Sequence, residues 1–208
     1  MHPNPVYRKA EHAQNLTFAR ARGFGVLAVN ADQGPLISHI PFQLSEDGTA
    51  LEGHLVRSNP ILRVLGDDGP QQAVIAVSGA DSYVSPDWYG VVDQVPTWNY
   101  VAVHLRGTLR VLPQDALGGV LERLSEAMET QLLPKPPWTM DKMGEGVAQK
   151  MMRMIVPIAL DVAEVTGTWK LSQNKPDAVR LGAADGVAAH GIGQELSTLS
   201  QWMREPPC

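Results

Sequence analysis

The sequence predicts a mainly β protein with peripheral helices, that is, an α+β fold built around a β-barrel. Three features of the chain support this prediction. Short apolar segments with strand character recur along the chain, turn residues such as Gly, Asp and Asn separate them, and helical patterns lie between or after them. Several short strands at regular spacing are typical of a closed or nearly closed barrel, which the helices would flank or plug.

The first four predicted strands form a meander. A buried strand at 23–30 is followed by a second strand at 35–44, a third at 49–57 and a fourth at 72–78. Pro41 interrupts the second strand. Because proline donates no ladder hydrogen bond, this strand is expected to lie at a sheet edge or to carry a bulge at that point.

In the second half of the chain, glycines are interpreted as turn signals. The segment 79–94 is expected to be rich in loops, and a fifth strand within 97–112 is expected to turn at Gly107 and return as a sixth. A last strand at 155–165 is expected to end at Gly167, where the chain would turn into a polar loop.

Helical patterns flank the strands at six places. Asn59 suits the cap of the second helix and Pro60 suits its first position. The helices are expected at residues 11–22, 61–65, 117–132, 141–152, 177–189 and 194–203. The length fits a single domain over 1–208, with a barrel core at about 20–172 and a C-terminal helical segment at about 175–205.

Composition and charge narrow the function classes. The 208 residues carry a net charge of −5, from 17 basic and 22 acidic side chains, with no dense basic run. Nucleic-acid binding relies on clustered Lys and Arg, so DNA binding is possible on a dimer but is not supported by the charge.

The single cysteine, Cys208, cannot form an internal disulfide, which fits a reducing compartment. With no signal-peptide pattern and no apolar run long enough to span a membrane, a cytoplasmic protein is expected.

The strand within 97–106 carries the most informative pattern. One face is apolar and reads as core, while the other carries aromatic and charged side chains. The core row is Val101, Val103 and Leu105, with Asn99 at the same parity, and the polar row is Trp98, Tyr100, His104 and Arg106. Two interpretations stay open: a wall for a flat, charged ligand, or an exposed strand face with ordinary cross-strand aromatic pairs.

Three other segments carry candidate ligand groups, and each has a structural alternative. Arg57 and Ser58 lie between a strand end and a helix start and could bind a phosphate, or Arg57 is solvated and Asn59 only caps the helix. Beside Pro41, unpaired strand backbone could pair with a planar heterocycle or could mark a plain sheet edge. The polar run 170–175 could contact a ligand or form an exposed loop.

No metal site and no common cofactor or nucleophile motif is predicted. His39, His54 and His104 lie on predicted strands, but no pair has a ligand spacing such as H-x-H or H-E-x-x-H. The chain lacks a G-x-G-x-x-G fingerprint, a P-loop and a G-x-S-x-G nucleophile elbow. These histidines are therefore expected to be structural or to contact a ligand.

Five motifs occur in a fixed order along most of the chain. They are His39-x-Pro41-Phe42, Gly53-His54-x-x-Arg57-x-Asn59-Pro60, Tyr83-Val84-Ser85-Pro86-x-Trp88-Tyr89, Val95-Pro96-Thr97-Trp98-Asn99-Tyr100 and Lys170-Leu171-Ser172-Gln173-Asn174. Together they resemble the PaiB-type, FMN-binding negative transcriptional regulator family. The resemblance implies an FMN-binding split β-barrel similar to those of pyridoxamine-phosphate oxidases and flavin reductases. It also implies a homodimer with the flavin in a cleft at the subunit interface.

The same resemblance implies which residues contact FMN. The expected cofactor-binding residues are His39, Ile40, His54, Arg57, Ser58, Trp98, Tyr100, Lys170, Ser172 and Gln173. Arg57 and Ser58 are expected to hold the phosphate, and the two residues before Pro41 to bring strand backbone to the isoalloxazine. The aromatic pair of the fifth strand would stack on the ring or wall the cleft. From the last motif, Lys170, Ser172 and Gln173 would reach across the dimer to the flavin or to a second ligand.

The chain departs from the family pattern at one place. The loop 90–94, Gly-Val-Val-Asp-Gln, lacks the lysine expected at 90–92. If that lysine holds an anion in relatives, a second-ligand site differs in this chain.

Two classes of function stay open. The family name implies a regulatory protein with FMN as a structural or sensing ligand, and the acidic charge favours an indirect effect on transcription. The alternative is a flavin-dependent oxidoreductase, or a haem-handling protein, without direct DNA binding. In an oxidoreductase the flavin carries the redox chemistry and the protein supplies binding and orientation. The sequence leaves undecided whether the chain is an enzyme.

Overall fold

The computed structural model describes residues 2–207, so Cys208, which is expected to form no disulfide, lies outside the described residues. The contacts of the chain divide it into two compact units. The terminal unit consists of residues 2–15, 78–103 and 166–207, and the barrel unit consists of residues 16–77 and 104–165. Among the described helices, none combines the length and the apolar character needed to cross a bilayer.

Seven strands of the described chain form one antiparallel sheet. They are β1 (Phe24–Val29), β2 (Leu36–Leu44), β3 (Ala50–Val56), β4 (Gln71–Val84), β5 (Thr97–Val111), β6 (Ile155–Lys170) and β7 (Ile192–Gln194). The strand order is β1-β2-β3-β6-β5-β4-β7. In the barrel unit β1 also pairs with β4, with Val26 opposite Ala76, and this pairing closes the first six strands into a barrel. The predicted fold, mainly β with a barrel, is confirmed.

The six predicted helices are present in the described chain. They are α1 (His12–Arg22), α2 (Pro60–Asp67), α3 (Leu117–Glu129), α4 (Val147–Met152), α5 (Asp177–His190) and α6 (Leu196–Arg204). Asn59 caps α2 as predicted, because its Oδ1 accepts a hydrogen bond from the N–H of Ile61 at 3.0 Å. The fourth helix is shorter than predicted because Gly146 has a left-handed φ of 73°, so the helix begins only after it.

Alternating side chains of the strands form the core, as the sequence pattern predicts. The buried rows include Ile40, Phe42 and Leu44 on β2, and Val101, Val103 and Leu105 on β5. Burial of each large apolar side chain stabilises the fold by about 1.5–3 kcal/mol. On the opposite face of β5, Trp98 and Arg106 are exposed while Tyr100 and His104 are half-buried.

The turn predicted at Gly107 is wrong, because β5 runs unbroken from Thr97 to Val111. A Cβ placed on Gly107 would lie 2.0 Å from the carbonyl oxygen of Asp161 on β6. This glycine therefore allows two backbones of the barrel unit to approach closely, and it does not reverse the chain.

The strand end predicted at Gly167 is also wrong, because β6 continues to Lys170. This glycine, too, makes room for a neighbouring group. A Cβ on Gly167 would lie 2.0 Å from Oδ1 of Asn15 in the terminal unit. The same oxygen accepts a hydrogen bond from Nε1 of the buried Trp169 at 2.9 Å. Beyond the strand, residues 171–175 form a turn in which Leu171 and Ser172 are buried and Asn174 is exposed, so the loop considered for this run is exposed only in part.

The strand β4 is also longer than predicted, and it reaches Val84 instead of ending at Ser78. Ala80, Ser82 and Val84 are buried in alternation. Small and polar side chains hid this alternation in the sequence, so the loop expected from residue 79 begins only after Val84.

Substitution of Gly107 tests the close approach of the two strands. Gly107→Ala should destabilise the protein by about 1–3 kcal/mol, because the added methyl group overlaps backbone that cannot move without strain. Urea denaturation measures the difference. The control is Gly118→Ala in α3, where a Cβ meets nothing within 4 Å and the exchange should stabilise by up to about 1 kcal/mol. Equal effects of the two substitutions would contradict the role given to Gly107.

Candidate functional site

An open strand edge lies in the barrel unit. Along β2, residues 36–41 pair with β1, but pairing with β3 covers only Phe42, Gln43 and Leu44. In the described chain, none of residues 36–41 therefore has a strand partner on the side that faces away from β1. β2 is not the edge strand expected from Pro41, because it lies between β1 and β3, but its residues 36–41 are paired only with β1 in the described chain.

The direction of the backbone groups at this edge follows from the neighbouring hydrogen bonds. The N–H of Phe42 donates to the carbonyl of Gly23, at 2.8 Å, on the β1 side. Since successive residues of a strand direct their backbone groups to opposite sides, His39 and Pro41 direct theirs to the open side. The carbonyl oxygen of Pro41 lies 3.0 Å from the position of a Cβ on Gly53 of β3, which agrees with this direction. His39 thus presents one donor and one acceptor there.

Asn59 joins the open edge to the start of α2. Its Nδ2 donates to Oγ of Ser38 at 2.8 Å, while its Oδ1 caps the helix. The motif around Pro41 and the motif around Asn59 therefore lie side by side in the barrel unit. Arg57 and Ser58, both exposed, come directly before this cap.

The guanidinium of Arg57 is fixed by neutral acceptors. Nε donates to the carbonyl of Arg153 at 3.0 Å. Nη2 donates to Oε1 of Gln114 at 3.1 Å and to the carbonyl of Ile155 at 3.3 Å. Among the described residues, Nη1 has no acceptor and no carboxylate pairs with this arginine. An oriented cation with two free N–H donors suits an incoming phosphate.

The other predicted contacts in the barrel unit differ in exposure. The ring of His39 is exposed and stacks near Phe24, with ring centroids 6.4 Å apart and planes at 27°. Ile40 is buried, and its backbone faces β1. His54 and His104 are half-buried, their Nδ1 atoms have no hydrogen-bond partner among residues 2–207, and burial lowers the pKa of both imidazoles. In the described part of the chain no three potential ligands cluster to hold a metal ion.

The two aromatic residues predicted on β5 lie in the terminal unit. Trp98 is 47% exposed and meets Tyr83 edge-on, with ring centroids 6.4 Å apart and planes at 73°. Tyr100 is half-buried, and burial raises the pKa of its hydroxyl. This face therefore carries an aromatic cross-strand pair, and much of the indole remains available to a planar ligand.

The terminal unit also holds a polar pocket of about 240 Å³. Its walls come from the turn after β4, the beginning of β5, the end of β6 and the segment between β6 and α5. The residues that define the polar pocket are Tyr7, Tyr89, Asp93, Asn99, Lys170, Ser172 and Lys175. It brings together two predicted site residues, Lys170 and Ser172, with several that the sequence did not point to.

Ser172 organises one wall of the polar pocket. The residue is buried and has a left-handed φ of 62°, which costs strain for a residue with a side chain. Its Oγ accepts a hydrogen bond from Nδ2 of Asn99 at 2.9 Å and lies 3.1 Å from the hydroxyl of Tyr89. The Oδ1 atom of the fully buried Asn99 has no partner in the described chain. The wall is therefore fixed, and one acceptor on it is unused.

Two lysines reach the polar pocket. Nζ of Lys170 contacts Oγ1 of Thr97, and partial burial lowers the pKa of this ammonium group. Nζ of Lys175 contacts Oε1 of Gln94 and lies 5.2 Å from the ring centroid of Tyr89. The loop 90–94 lacks the expected lysine, but Lys175, from the segment after β6, contacts this loop at Gln94.

Gln173 has a different role from its neighbours. Its Oε1 accepts a hydrogen bond from the N–H of Leu171 at 2.8 Å, and its Nε2 donates to the carbonyls of Trp169 and Val6. These bonds shape the segment that carries Ser172. Tyr89, Asn99 and Lys175 are not among the residues expected to bind FMN, although Lys175 ends the polar run 170–175 for which a ligand contact is one of the two interpretations. Of these, Asn99 had a visible signal, because it stands alone in the apolar row of β5.

The fold is that of flavin-binding split β-barrels. One solved structure with this fold is an FAD- and haem-binding protein from Mycobacterium smegmatis, with a TM-score of 0.57 and 19% identity, covering 90% of this chain and 82% of that one. Another is a flavocytochrome from Azotobacter vinelandii, with a TM-score of 0.57 and 13% identity, covering 81% of this chain and 72% of that one.

The sequence then places the chain within this class. Residues 1–164 match the family described as "Putative FMN-binding domain", and the chain belongs to that family. It is 28% identical over 174 residues to the Protease synthase and sporulation protein PAI 2 of Bacillus subtilis (strain 168), which covers 82% of both chains. It is 31% identical over 129 residues to an uncharacterized protein of Saccharomyces cerevisiae, covering 59% of this chain and 71% of that one.

These findings confirm the resemblance drawn from the five motifs. The chain is an FMN-binding split-barrel protein similar to the PaiB-type regulators. The family match ends at residue 164, so Lys170, Ser172 and Lys175 lie beyond the matched residues.

Proposed function

We propose that the chain is a cytoplasmic regulatory protein that binds FMN at the open edge of β2, as a homodimer with the flavin in a cleft at the subunit interface. The observation that carries the site assignment is the oriented Arg57, whose charge is not neutralised, beside an unpaired strand edge. Family membership supplies the cofactor. The regulatory role is proposed from the similarity to PaiB-type negative transcriptional regulators.

The phosphate of FMN is assigned to Arg57 and Ser58. A phosphate dianion needs a planar cation with paired donors and nearby hydroxyl groups. Nη1 of Arg57 keeps both of its donors, and the Ser58 hydroxyl is exposed next to it in the chain. The residues present therefore fit the charged end of the cofactor.

The ring system of FMN is assigned to the edge of β2. Isoalloxazine carries both donors and acceptors along one side, and the backbone of His39 offers one of each. The exposed imidazole of His39 and the half-buried His54 flank the same edge region of the barrel unit as polar candidates. For Trp98 and Tyr100, which lie in the terminal unit, a role beside the ring rests on the resemblance alone. The backbone groups of Ile40 face β1, so this residue offers no free donor or acceptor to the ring.

When bound, the flavin supplies redox chemistry, while the residues of this chain bind it, orient it and limit its access to water. A net charge of −5 without a dense basic run argues against direct DNA contact. We therefore propose that its effect on transcription is indirect. NADPH oxidation by the FMN-loaded protein in the presence of an electron acceptor would assign it instead to the oxidoreductases. A gel shift on its own promoter region would indicate direct DNA binding.

Substitution of Arg57 tests the phosphate assignment. Arg57→Ala should weaken FMN binding by about tenfold to a hundredfold, because a charge-assisted hydrogen-bond partner is lost. Quenching of FMN fluorescence during titration measures the affinity. The matched control is Arg63→Ala, an exposed arginine on α2 of the same unit, which should bind FMN as the unchanged protein does. Circular dichroism verifies that both variants fold.

Equal FMN affinity of Arg57→Ala and Arg63→Ala would remove Arg57 from the site. Ser58→Ala provides a second variant if the loss of the three bonds made by Arg57 disturbs its surroundings. A smaller but measurable loss of FMN affinity is expected there.

The proposed homodimer is tested by a measurement of the mass of the protein in solution. Sedimentation equilibrium should give twice the mass of the 208-residue chain, with and without added FMN. A mass of one chain at micromolar concentration would contradict the proposal that the flavin lies between two subunits.

A further inference from the structure

The polar pocket of the terminal unit is not needed by the flavin assignment, yet it carries two cations without a partner of opposite charge. Lys170 and Lys175 each contact one neutral side chain, and neither forms an ion pair among the described residues. Asp93 is the one acidic side chain that the described lining includes, and it is exposed. The pocket therefore carries an excess of positive charge.

The unused acceptor on the pocket wall, Oδ1 of Asn99, sets a second requirement for a ligand of this pocket. Oδ1 of Asn99 is buried without a partner, which is costly unless a ligand or water satisfies it. The Nδ2 group of the same side chain already donates a hydrogen bond to Oγ of Ser172. Because Ser172 is held in a strained conformation, this wall cannot easily turn another group toward the acceptor. A ligand that brings its own N–H or O–H would satisfy this acceptor directly.

We propose that the polar pocket binds a small oxyanion that also carries a hydrogen-bond donor, such as hydrogen phosphate or a hydroxy acid. The ammonium groups of Lys170 and Lys175 bind the anion, and Oδ1 of Asn99 accepts the donor of the ligand. The faces of Tyr7 and Tyr89 lie beside these ammonium groups, at 6.0 Å from Lys170 and 5.2 Å from Lys175.

The size of the pocket favours a ligand smaller than a flavin. Its volume of about 240 Å³ lies below the roughly 300–1,000 Å³ of pockets that enclose drug-sized ligands. The site is therefore proposed as separate from the flavin cleft, and it rests on contacts within the terminal unit alone.

Two pairs of probe anions test both requirements by isothermal titration calorimetry. At neutral pH phosphate carries an O–H donor and sulfate carries none, and the same contrast separates glycolate from acetate. In the FMN-loaded protein, phosphate should bind about tenfold more tightly than sulfate, because sulfate leaves the Asn99 acceptor unsatisfied. Comparison of phosphate with glycolate shows which oxyanion the pocket prefers.

Lysine variants locate the binding. Lys170→Met and Lys175→Met should each weaken phosphate binding by at least about tenfold, because a charge-assisted bond is lost. Lys150→Met, which changes an exposed lysine of the barrel unit, should bind phosphate normally. FMN affinity should stay the same in Lys175→Met and Lys150→Met. If Lys170→Met fails to fold, Lys175→Met carries the test.

Several results would overturn the proposal. These are no binding of phosphate or glycolate to the unchanged protein, equal affinity for phosphate and sulfate, or equal phosphate binding by Lys175→Met and Lys150→Met. Loss of FMN binding in Lys175→Met, or displacement of phosphate by FMN, would assign the pocket to the flavin. If the protein binds no FMN, titration of phosphate into the unloaded protein still tests the pocket, so the two proposals fail separately.

Discussion

The side chain of Asn59 is the interaction on which the candidate flavin cleft depends. One carboxamide caps α2 through Oδ1 and holds Ser38 of β2 through Nδ2. Loss of such a cap alone costs about 0.5–2 kcal/mol. The second bond holds β2 at Ser38 next to the segment that carries Arg57. An open strand edge normally invites pairing with another chain. Here Pro41 removes a donor, so the edge suits a small heterocycle better than a strand.

Much of the fold was predictable because apolar alternation and turn residues report strands directly. The two errors at glycines have one physical origin. Gly107 and Gly167 were interpreted as turns, whereas each removes a side chain where another group approaches to 2.0 Å of its Cβ position. The sequence shows the glycine, but it does not show the neighbouring group that leaves no room for a side chain. The extension of β4 was missed because Ala80 and Ser82 give a weak alternation.

The site was predictable where a residue type and its local position carry the chemistry. Arg57 between a strand end and a capped helix, and the unpaired strand backbone beside Pro41, belong to this group. The polar pocket was predictable only in part, since its walls come from segments far apart in the chain. Lys175 reaches the loop that lacks a lysine, which no local spacing reveals. Asn99 could have been found, because an amide in an apolar row needs a partner in the core.

The most direct measurement of the central claim is amide hydrogen exchange at the open edge of β2. The N–H of His39 points away from β1 and has no strand partner, so it should exchange fast in the unloaded protein and slow down when FMN is added. The N–H of Phe42, already bonded to Gly23, serves as the internal reference. Saturation with FMN that leaves exchange at His39 unchanged would contradict the assignment of the flavin ring to this edge.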